Sequence, residues 1–238
     1  TGADCDRMVD AASAAGKQLL VGHVLPFLPE YAHAVALIQS GKYGRAIGGS
    51  FKRVISDPLW LSDFYDPQKV GGPLVDLHVH DAHLIRMLFG MPTSVVSAGR
   101  MRGEVVEYCN TLFRFADKEL AVHAQSGVIR QQGRGFTHAF EIHLEQATLL
   151  FDFAVIGDAP TLAMPLTVLT ADGQAIRPEL PPGDPMHAAF VAEINEVARC
   201  VDGGVASELL GGALARDAVL LCHKQTESVA QQREVSIA

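Results

Sequence analysis

The chain has 238 residues, 48% of them hydrophobic, which is enough to bury one large core or two smaller ones. A formal net charge of -8 and the lack of any lysine- or arginine-rich block exclude the clustered basic surface that nucleic-acid binding requires. The longest apolar runs are far shorter than the ~18 residues of a membrane span. Four scattered cysteines are typical of a reducing compartment, so we predict a cytoplasmic protein without nucleic-acid or membrane partners.

The chain opens with the pattern of a helix followed by a short apolar run. Residues 3–15 repeat apolar positions at helical spacing, and Thr1 and Asp4 are placed as in a capping box. The run "KQLLVGH" that follows, residues 17–23, has the length and flanks of a buried strand in a parallel sheet. Such a strand needs partners on both sides, and none precedes it. We therefore interpret this helix and strand as the last unit of a sheet whose other strands lie upstream.

The rest of the chain predicts a large sheet with helices around it. A second helix is predicted over residues 29–40, and two further helices that cover the sheet are predicted after a proline-rich connector near the end, the second over about 209–229. The first of these two has an apolar stripe of Phe190, Ile194, Val197 and Val201. Between them lie segments with strand-like alternation and short turns, which together predict a mostly antiparallel sheet. The fold class is thus α/β (α+β). The segments are "AIGGSFKRVIS", "TSVVSAGRM", "VVEYCNTLFRF", "ELAVHAQSGVI", "FTHAFEIHL" and "ATLLFDF".

The stretch "GGPLVDLHVHDAH" carries most of the chemical signal. A helix is predicted over residues 73–89, because Pro73 follows two glycines and Gly90 stands just past the end. On this helix Asp76 lies one turn before His80 and is placed to hold its imidazole in one tautomer, so that the ring can exchange a proton near neutral pH. The spacing alone is weak evidence, because most such pairs on helices are only solvated or hydrogen-bonded.

A zinc hydrolase built on His78, His80 and His83 is one alternative. The pattern approaches the His-x-His-x-Asp-His signature of metallo-β-lactamase-like hydrolases, but Asp81 stands one position too early. On a helix, His78 and His80 would also be about 200° apart and unable to reach one ion.

Three segments in order resemble the Gfo/Idh/MocA family of oxidoreductases, which includes glucose-fructose oxidoreductase and inositol dehydrogenase. They are "AASAAGKQLLVGHVLPFLPEY", "IQSGKYGRAIGGSF" and "GGPLVDLHVHDAHLIRMLFGMPTSV". The resemblance implies that residues 1–25 are the end of a Rossmann domain that binds NAD or NADP. Residues 26–238 would then be the substrate-binding domain, whose sheet would also form a homo-oligomer. A non-catalytic module that dimerises through this sheet is the second alternative.

The resemblance also implies roles for residues. His80 would be the acid/base group and Asp76 its orienter or a substrate ligand, with a sugar, polyol or related hydroxyl compound as the small-molecule substrate. The glycine-rich dinucleotide fingerprint and the Glu-Lys-Pro lysine of the family are expected upstream of Thr1, so the main cofactor-binding residues lie outside the chain, which should be inactive alone. Pro26 stands where many relatives carry arginine, a departure that affects the substrate class.

Four further residues are candidates for binding substrate. His23 ends the parallel-type strand, at the edge where doubly wound sheets bind ligands. Trp60 lies in a long loop and either lines the site or anchors packing. Arg53 either meets an anionic substrate or belongs to a solvated sheet face. His78 is either a pocket residue or a hydrogen-bonded helix residue.

Overall fold

The computed structural model describes residues 1–237, and its first element confirms the predicted helix. Helix α1 spans Gly2–Ala14, and the Thr1 side chain accepts a hydrogen bond from the backbone of Asp4 while the Asp4 side chain bonds back to Thr1. This reciprocal pattern satisfies two backbone donors that a helix start would otherwise leave free. None of the helices between residues 1 and 237 has the length and apolar character that a bilayer crossing requires.

The predicted buried strand at residues 17–23 is wrong as stated. Only one isolated antiparallel bridge forms there, between Leu20 and Gly211, supported by a 2.9 Å bond from the Val21 backbone to Leu210. No residue of the segment is fully buried. A strand of this kind is completed by neighbouring strands, and the part of the chain that the structure describes supplies a single bridge.

The predicted large, mostly antiparallel sheet is confirmed. Nine strands pair in the order β8-β7-β6-β5-β1-β4-β3-β2-β9, and the pairing of β1 with β4 is the one parallel contact between strands of residues 1–237. The six predicted segments correspond to β1–β6. The strands are β1 (Ala46–Ser56), β2 (Ser94–Arg102), β3 (Val105–Arg114), β4 (Ala121–Ile129), β5 (Arg134–Leu144), β6 (Ala147–Ile156), β7 (Ala159–Thr170), β8 (Ala175–Ile176) and β9 (Val235–Ser236).

Strand β7 was not predicted, because its sequence contains Pro160 and Pro165. Proline cannot donate a ladder hydrogen bond and is confined to edges, ends and bulges of sheets. Strand β7 satisfies this rule, since its outer neighbour β8 has only two residues and its pairing with β6 shifts register near Asp152. The strand therefore lies near the sheet edge, where prolines are tolerated.

Helices cover one face of the sheet. Helix α2 spans Pro29–Gln39, α3 Val79–Phe89, α4 Pro185–Gly203 and α5 Gly212–Gln231. Helices α3 and α5 pack on each other and on the sheet, and their buried side chains meet the apolar residues of the strands in one core. Phe51, Phe113, Leu84, Ile85 and Leu221 are among its most buried members.

The two closing helices differ in what they cover. Helix α5 packs on β2 and β3, as expected of a covering helix. Helix α4 instead packs on α2 and on a short 3₁₀ helix, Leu25–Phe27, and its Phe190, Ile194 and Val201 are exposed. The expectation that both helices cover the sheet is thus wrong for α4, since its apolar stripe faces away from the core.

Candidate active site

A glycine pair fixes the entry to the helix that carries the candidate residues. Gly71 and Gly72 have φ of +84° and +76°, values that side-chain-bearing residues rarely adopt. A Cβ on Gly72 would also lie 2.8 Å from the Val105 side chain. Pro73 follows and is buried, with the backbone angles of a helix start. The predicted helix over 73–89 is confirmed, and these residues set where it begins.

The first turn of this helix is wider than an α-turn. Leu74–His78 form one turn of π-helix before α3 begins, a feature that is frequent at functional sites. The wider turn breaks the spacing that would stack Asp76 over His80. Asp76 is exposed, and no hydrogen bond joins it to His80 in the part of the chain that the structure describes. Desolvation raises the pKa of Asp76.

His80 instead lies beside two other histidines. Its ring is 5.5 Å from that of His23, in an edge-to-face arrangement, and the His23 ring is 4.9 Å from that of His83. The Nδ1 atoms of His23 and His83 are 2.9 Å apart. Nδ1 of His80 is buried without a hydrogen-bond partner among residues 1–237. His23 and His80, predicted separately, are thus brought together.

All three rings are neutral near pH 7. Burial lowers the pKa of His23 to about 4 and those of His80 and His83 to about 3. The positive charge of Arg53 adds to the effect at His80. A neutral imidazole keeps one ring nitrogen with a free lone pair, so these rings can accept a hydrogen bond or a proton from a hydroxyl group.

A buried ion pair lies beneath the histidines. The Arg53 guanidinium donates to both carboxylate oxygens of Asp81, at 2.7 and 3.1 Å, and Arg53 is only 3% exposed. The solvated-face account of Arg53 is therefore wrong. Its guanidinium is held by a carboxylate of the chain, and its binding of an anionic substrate stays a prediction without support from this arrangement.

His78 points away from His80 into the core. Its ring stacks at 6.4 Å on Phe113 of β3, and its Nδ1 lies 3.8 Å from Asp81. Neither ring nitrogen has a hydrogen-bond partner among the described residues. His78 thus diverges from His80 and His83, and residues 1–237 contain no group of three or more His, Cys, Asp or Glu side chains placed to hold a metal ion.

Trp60 lies at the tip of the loop between β1 and the π-turn. It is 76% exposed, and its neighbours Leu59 and Leu61 are exposed as well. The packing account of Trp60 is therefore wrong. Its role as a substrate contact stays a prediction.

Three residues near the site make contacts that the sequence did not predict. Asp81 was considered only in the metal signature, although a buried helix carrying Asp81 predicts a cationic partner such as Arg53. His83 was considered as a metal ligand, a pocket residue or a hydrogen-bonded helix residue, and its contact with His23 was not predicted. Glu193 of α4 is buried, its Oε1 has no partner among the described residues, and burial raises its pKa. Its carboxylate faces Gly22, next to His23. No signal in the sequence placed Glu193 there.

Comparison with known proteins assigns the chain to a family. The model of the GFO/IDH/MocA C-terminal domain matches residues 31–150. The chain belongs to the Gfo/Idh/MocA family. This confirms the resemblance of the sequence, and the matched region contains β1, the glycine pair and the helix that bears Asp76 and His80.

Solved structures share the fold across almost the whole chain. Levoglucosan dehydrogenase in complex with NADH and levoglucosan matches with a TM-score of 0.77 and 18% identity, over 100% of this chain and 70% of that one. Aldose-aldose oxidoreductase from Caulobacter crescentus, complexed with glycerol, matches with a TM-score of 0.79 and 17% identity, over 99% of this chain and 69% of that one. An oxidoreductase from Agrobacterium radiobacter in complex with NAD+, L-tartaric acid and magnesium matches with a TM-score of 0.72 and 14% identity, over 100% of this chain and 70% of that one. Each is longer than this chain.

The sequence of this Gfo/Idh/MocA chain does not contain all the features of a dinucleotide-binding site. The sequence has no Gly-x-Gly-x-x-Gly turn after a strand, the feature that cradles a dinucleotide pyrophosphate. The described residues therefore do not fit a complete NAD or NADP site. The described residues include neutral imidazoles, which can form hydrogen bonds with hydroxyl groups.

Proposed function

We propose that the chain is the substrate-binding part of an NAD(P)-dependent oxidoreductase that acts on a sugar, polyol or related hydroxyl compound. Residues 1–25 would end the dinucleotide-binding domain and residues 26–238 form the substrate domain. The observation that carries the proposal is the neutral His80 ring beside His23, on the helix that follows the Gly71–Gly72 turn in a chain of this family. Similar structures in complex with NADH and levoglucosan, and with NAD+ and L-tartaric acid, support the cofactor and the substrate class.

His80 would handle the proton of the reacting hydroxyl. Its buried Nδ1 has no partner, so Nε2 is the ring nitrogen available to a substrate, and a neutral ring can take the hydroxyl proton as the alcohol is oxidised. The nicotinamide, held by a segment outside this sequence, would accept the hydride. Because Asp76 makes no hydrogen bond to His80 among the described residues, we assign it the role of substrate ligand, the second of its two expected roles.

The open face of the sheet supports a homo-oligomer. The face opposite the helices forms a depression of about 460 Å³ whose lining includes Ser50, Lys52, Asn110, His123 and Asp152. Leu112, Leu162 and Met164 are exposed around it. Exposed apolar side chains grouped on one face of a sheet are typical of surfaces that meet another protein, and a second copy would cover them. The same face favours the dimerising module as the second candidate function.

The decisive experiment uses the complete protein that the gene encodes. It would be assayed with NAD and with NADP against levoglucosan, myo-inositol and glucose, and His80→Ala would be compared with His143→Ala. His143 lies on β5 and is half exposed, away from the cluster. We expect His80→Ala to lower kcat/KM about 10²- to 10⁴-fold, the range for loss of a general acid/base, and His143→Ala to leave it unchanged.

Retained activity in His80→Ala would overturn the catalytic assignment. An Asp76→Asn variant that raises KM more than it lowers kcat would support substrate binding by Asp76. Stable dimers without turnover of any probe would instead favour the non-catalytic module.

A further inference from the structure

A second cavity on the open face of the sheet is lined by three arginines, and we call it the arginine cavity. Its volume is about 540 Å³, and among residues 1–237 its wall contains no aspartate or glutamate. Gln125 belongs both to this wall and to the wall of the depression on the open face. The cavity therefore lies on the side of the sheet opposite the helices and their histidines. Its lining includes Arg100, Arg130, Arg134, Tyr108 and Gln125.

Arg100 is held in place from two sides. Its Nε donates to Glu107 at 3.1 Å, and its guanidinium lies over the ring of Tyr108, 5.0 Å from the ring centre. Tyr108 is fixed in turn, because its hydroxyl oxygen accepts a hydrogen bond from the side-chain amide of Gln125. The two terminal nitrogens of Arg100 donate to no acceptor among residues 1–237. They form a fork of N–H groups, with which arginine binds an oxyanion through two parallel hydrogen bonds.

Glu107 does not neutralise the arginines around it. Its side chain is 3% exposed, and its carboxylate accepts hydrogen bonds from Arg100 and Arg102, while Arg130 lies 4.0 Å away. Burial acts to raise the pKa of Glu107, but the hydrogen bonds from Arg102 and Arg100 outweigh burial and lower it. One ionised carboxylate is thus shared among three guanidinium groups. Arg102 has a second partner, Asp57, at 2.8 Å.

Arg134 adds a guanidinium that has no hydrogen-bond acceptor or ion-pair partner in the part of the chain that the structure describes. Its backbone is fixed, since its N–H donates to Ser56 Oγ at 2.8 Å. The three lining arginines and Arg102 carry four positive charges, against the two negative charges of Glu107 and Asp57. Two positive charges are left without a partner. In a chain with a formal net charge of -8, this local surplus favours an anionic ligand.

A phosphate monoester matches this arrangement better than a carboxylate does. Near pH 7 such a group carries a charge of about -1.5 to -2 and has three acceptor oxygens. Its charge is close to the surplus of the cavity, and its oxygens are sufficient to meet three guanidinium groups. A single carboxylate has one charge and two oxygens.

We propose that the arginine cavity binds the phosphate group of a small phosphorylated compound, with the terminal nitrogens of Arg100 forming the bidentate contact. Because Arg100 is already held by Glu107 and Tyr108, little side-chain freedom is lost when the ligand binds. The site lies on the other face of the sheet from His23 and His80, and it does not depend on the proposed oxidoreductase function.

Titration of the chain with inorganic phosphate and with phenyl phosphate tests the site without cofactor or turnover. Isothermal titration calorimetry at low ionic strength, where charges are least screened, gives the dissociation constant for each probe. We expect both probes to bind, and added sodium chloride to weaken both. Succinate is the control dianion without phosphorus. If neither phosphate probe binds at millimolar concentration, or if succinate binds more tightly than both, the proposal is overturned.

Substitutions show whether the phosphate binds in the arginine cavity. Arg100→Gln removes the fork and should weaken the binding of both probes about tenfold or more, and Arg100→Lys should recover only part of the loss. Arg134→Gln should also weaken binding, because it removes one of the uncompensated charges. The control is Arg177→Gln, since Arg177 is exposed and outside the cavity. Unchanged dissociation constants for folded Arg100→Gln and Arg134→Gln chains would refute the site.

A second copy of the chain is the competing occupant, because the arginine cavity adjoins the face that we propose to dimerise. Sedimentation equilibrium of the unsubstituted chain and of Arg100→Gln distinguishes the two occupants. If acidic side chains of a second copy fill the cavity, Arg100→Gln weakens the dimer and the dimeric chain does not bind phosphate, which would overturn the proposal. If phosphate binds and Arg100→Gln leaves the oligomeric state unchanged, the phosphate site stands, whether or not the complete protein oxidises a polyol.

Discussion

Two neighbouring basic residues on strand β1 show that a charge is buried on one face of the sheet and partly solvated on the other. Arg53 faces the helices, is 3% exposed and donates two hydrogen bonds to Asp81 of α3. Lys52, the residue before it, faces the open side and pairs with Asp152 at 2.8 Å, with side chains about one-third exposed. Alternation along one strand thus places one ion pair in the core and the other at the surface. Because the two ion pairs have similar N···O distances, their different burial decides how much each affects the free energy of unfolding.

Breaking the buried pair is expected to have the largest effect on stability. Arg53→Ala leaves the Asp81 carboxylate buried without its cation, and removal of one partner from such a pair costs about 3–5 kcal/mol. The free energy of unfolding, measured by urea titration, should fall by that amount. Replacing both partners by leucine should recover a large part of it, because no uncompensated charge remains. A loss below about 1 kcal/mol for Arg53→Ala would contradict the buried pair.

The sequence predicts which residues share a face of the sheet, but it predicts less well which helices pack on that face. The alternation in β5 predicts one face for a set of five residues, and three of them, Phe140, Ile142 and Leu144, lie in the core. The set is Phe136, His138, Phe140, Ile142 and Leu144. Coverage depends on contacts distant in sequence, which alternation does not encode. Helix α4 illustrates the difference, because its apolar stripe predicts a buried face while Phe190 and Ile194 are exposed. Local patterns therefore identify elements, and long-range packing assigns their partners.

The candidate site shows the same division. His80 follows from the caps of its helix and from the family resemblance, and His23 follows from its place at the end of an apolar run. The separation of Asp76 from His80 does not follow, because a π-turn at Leu74–His78 leaves no signature in the pattern of apolar residues. The pairing of His23 with His83 joins residues 60 positions apart and required coordinates.

Acid should destabilise the chain through the histidines on the helix side. Five of them have pKa values lowered by burial to about 3 or 4, namely His23, His78, His80, His83 and His138. Below pH 6.5 these side chains take up protons when the chain unfolds but not while it is folded, so stability falls as the pH drops toward 4. Each contributes a slope of at most about 1.4 kcal/mol per pH unit.

His78→Leu tests this account on a single ring. The side chain has no hydrogen-bond partner among the described residues and packs on Phe113, so leucine suits the site. Unfolding free energies measured by urea titration between pH 4.5 and 6 should show a slope smaller by nearly one proton. His143→Leu, on the open face and half exposed, is the matched control. Equal slopes for the His78 variant and the unsubstituted chain would rule out a neutral buried His78.

Breaking the partly exposed pair of Lys52 and Asp152 should have the smallest effect on the free energy of unfolding. Lys52→Ala removes a partly solvated ion pair, which contributes about 0–1 kcal/mol because water screens both charges. Urea titration at several protein concentrations distinguishes a free face from a covered one. A small loss that does not depend on concentration fits an open face, whereas a larger loss that grows with concentration means that a second copy buries Lys52 and Asp152. In that event the pair would behave as Arg53 and Asp81 do, because an oligomer would have supplied the burial that the fold of one chain does not.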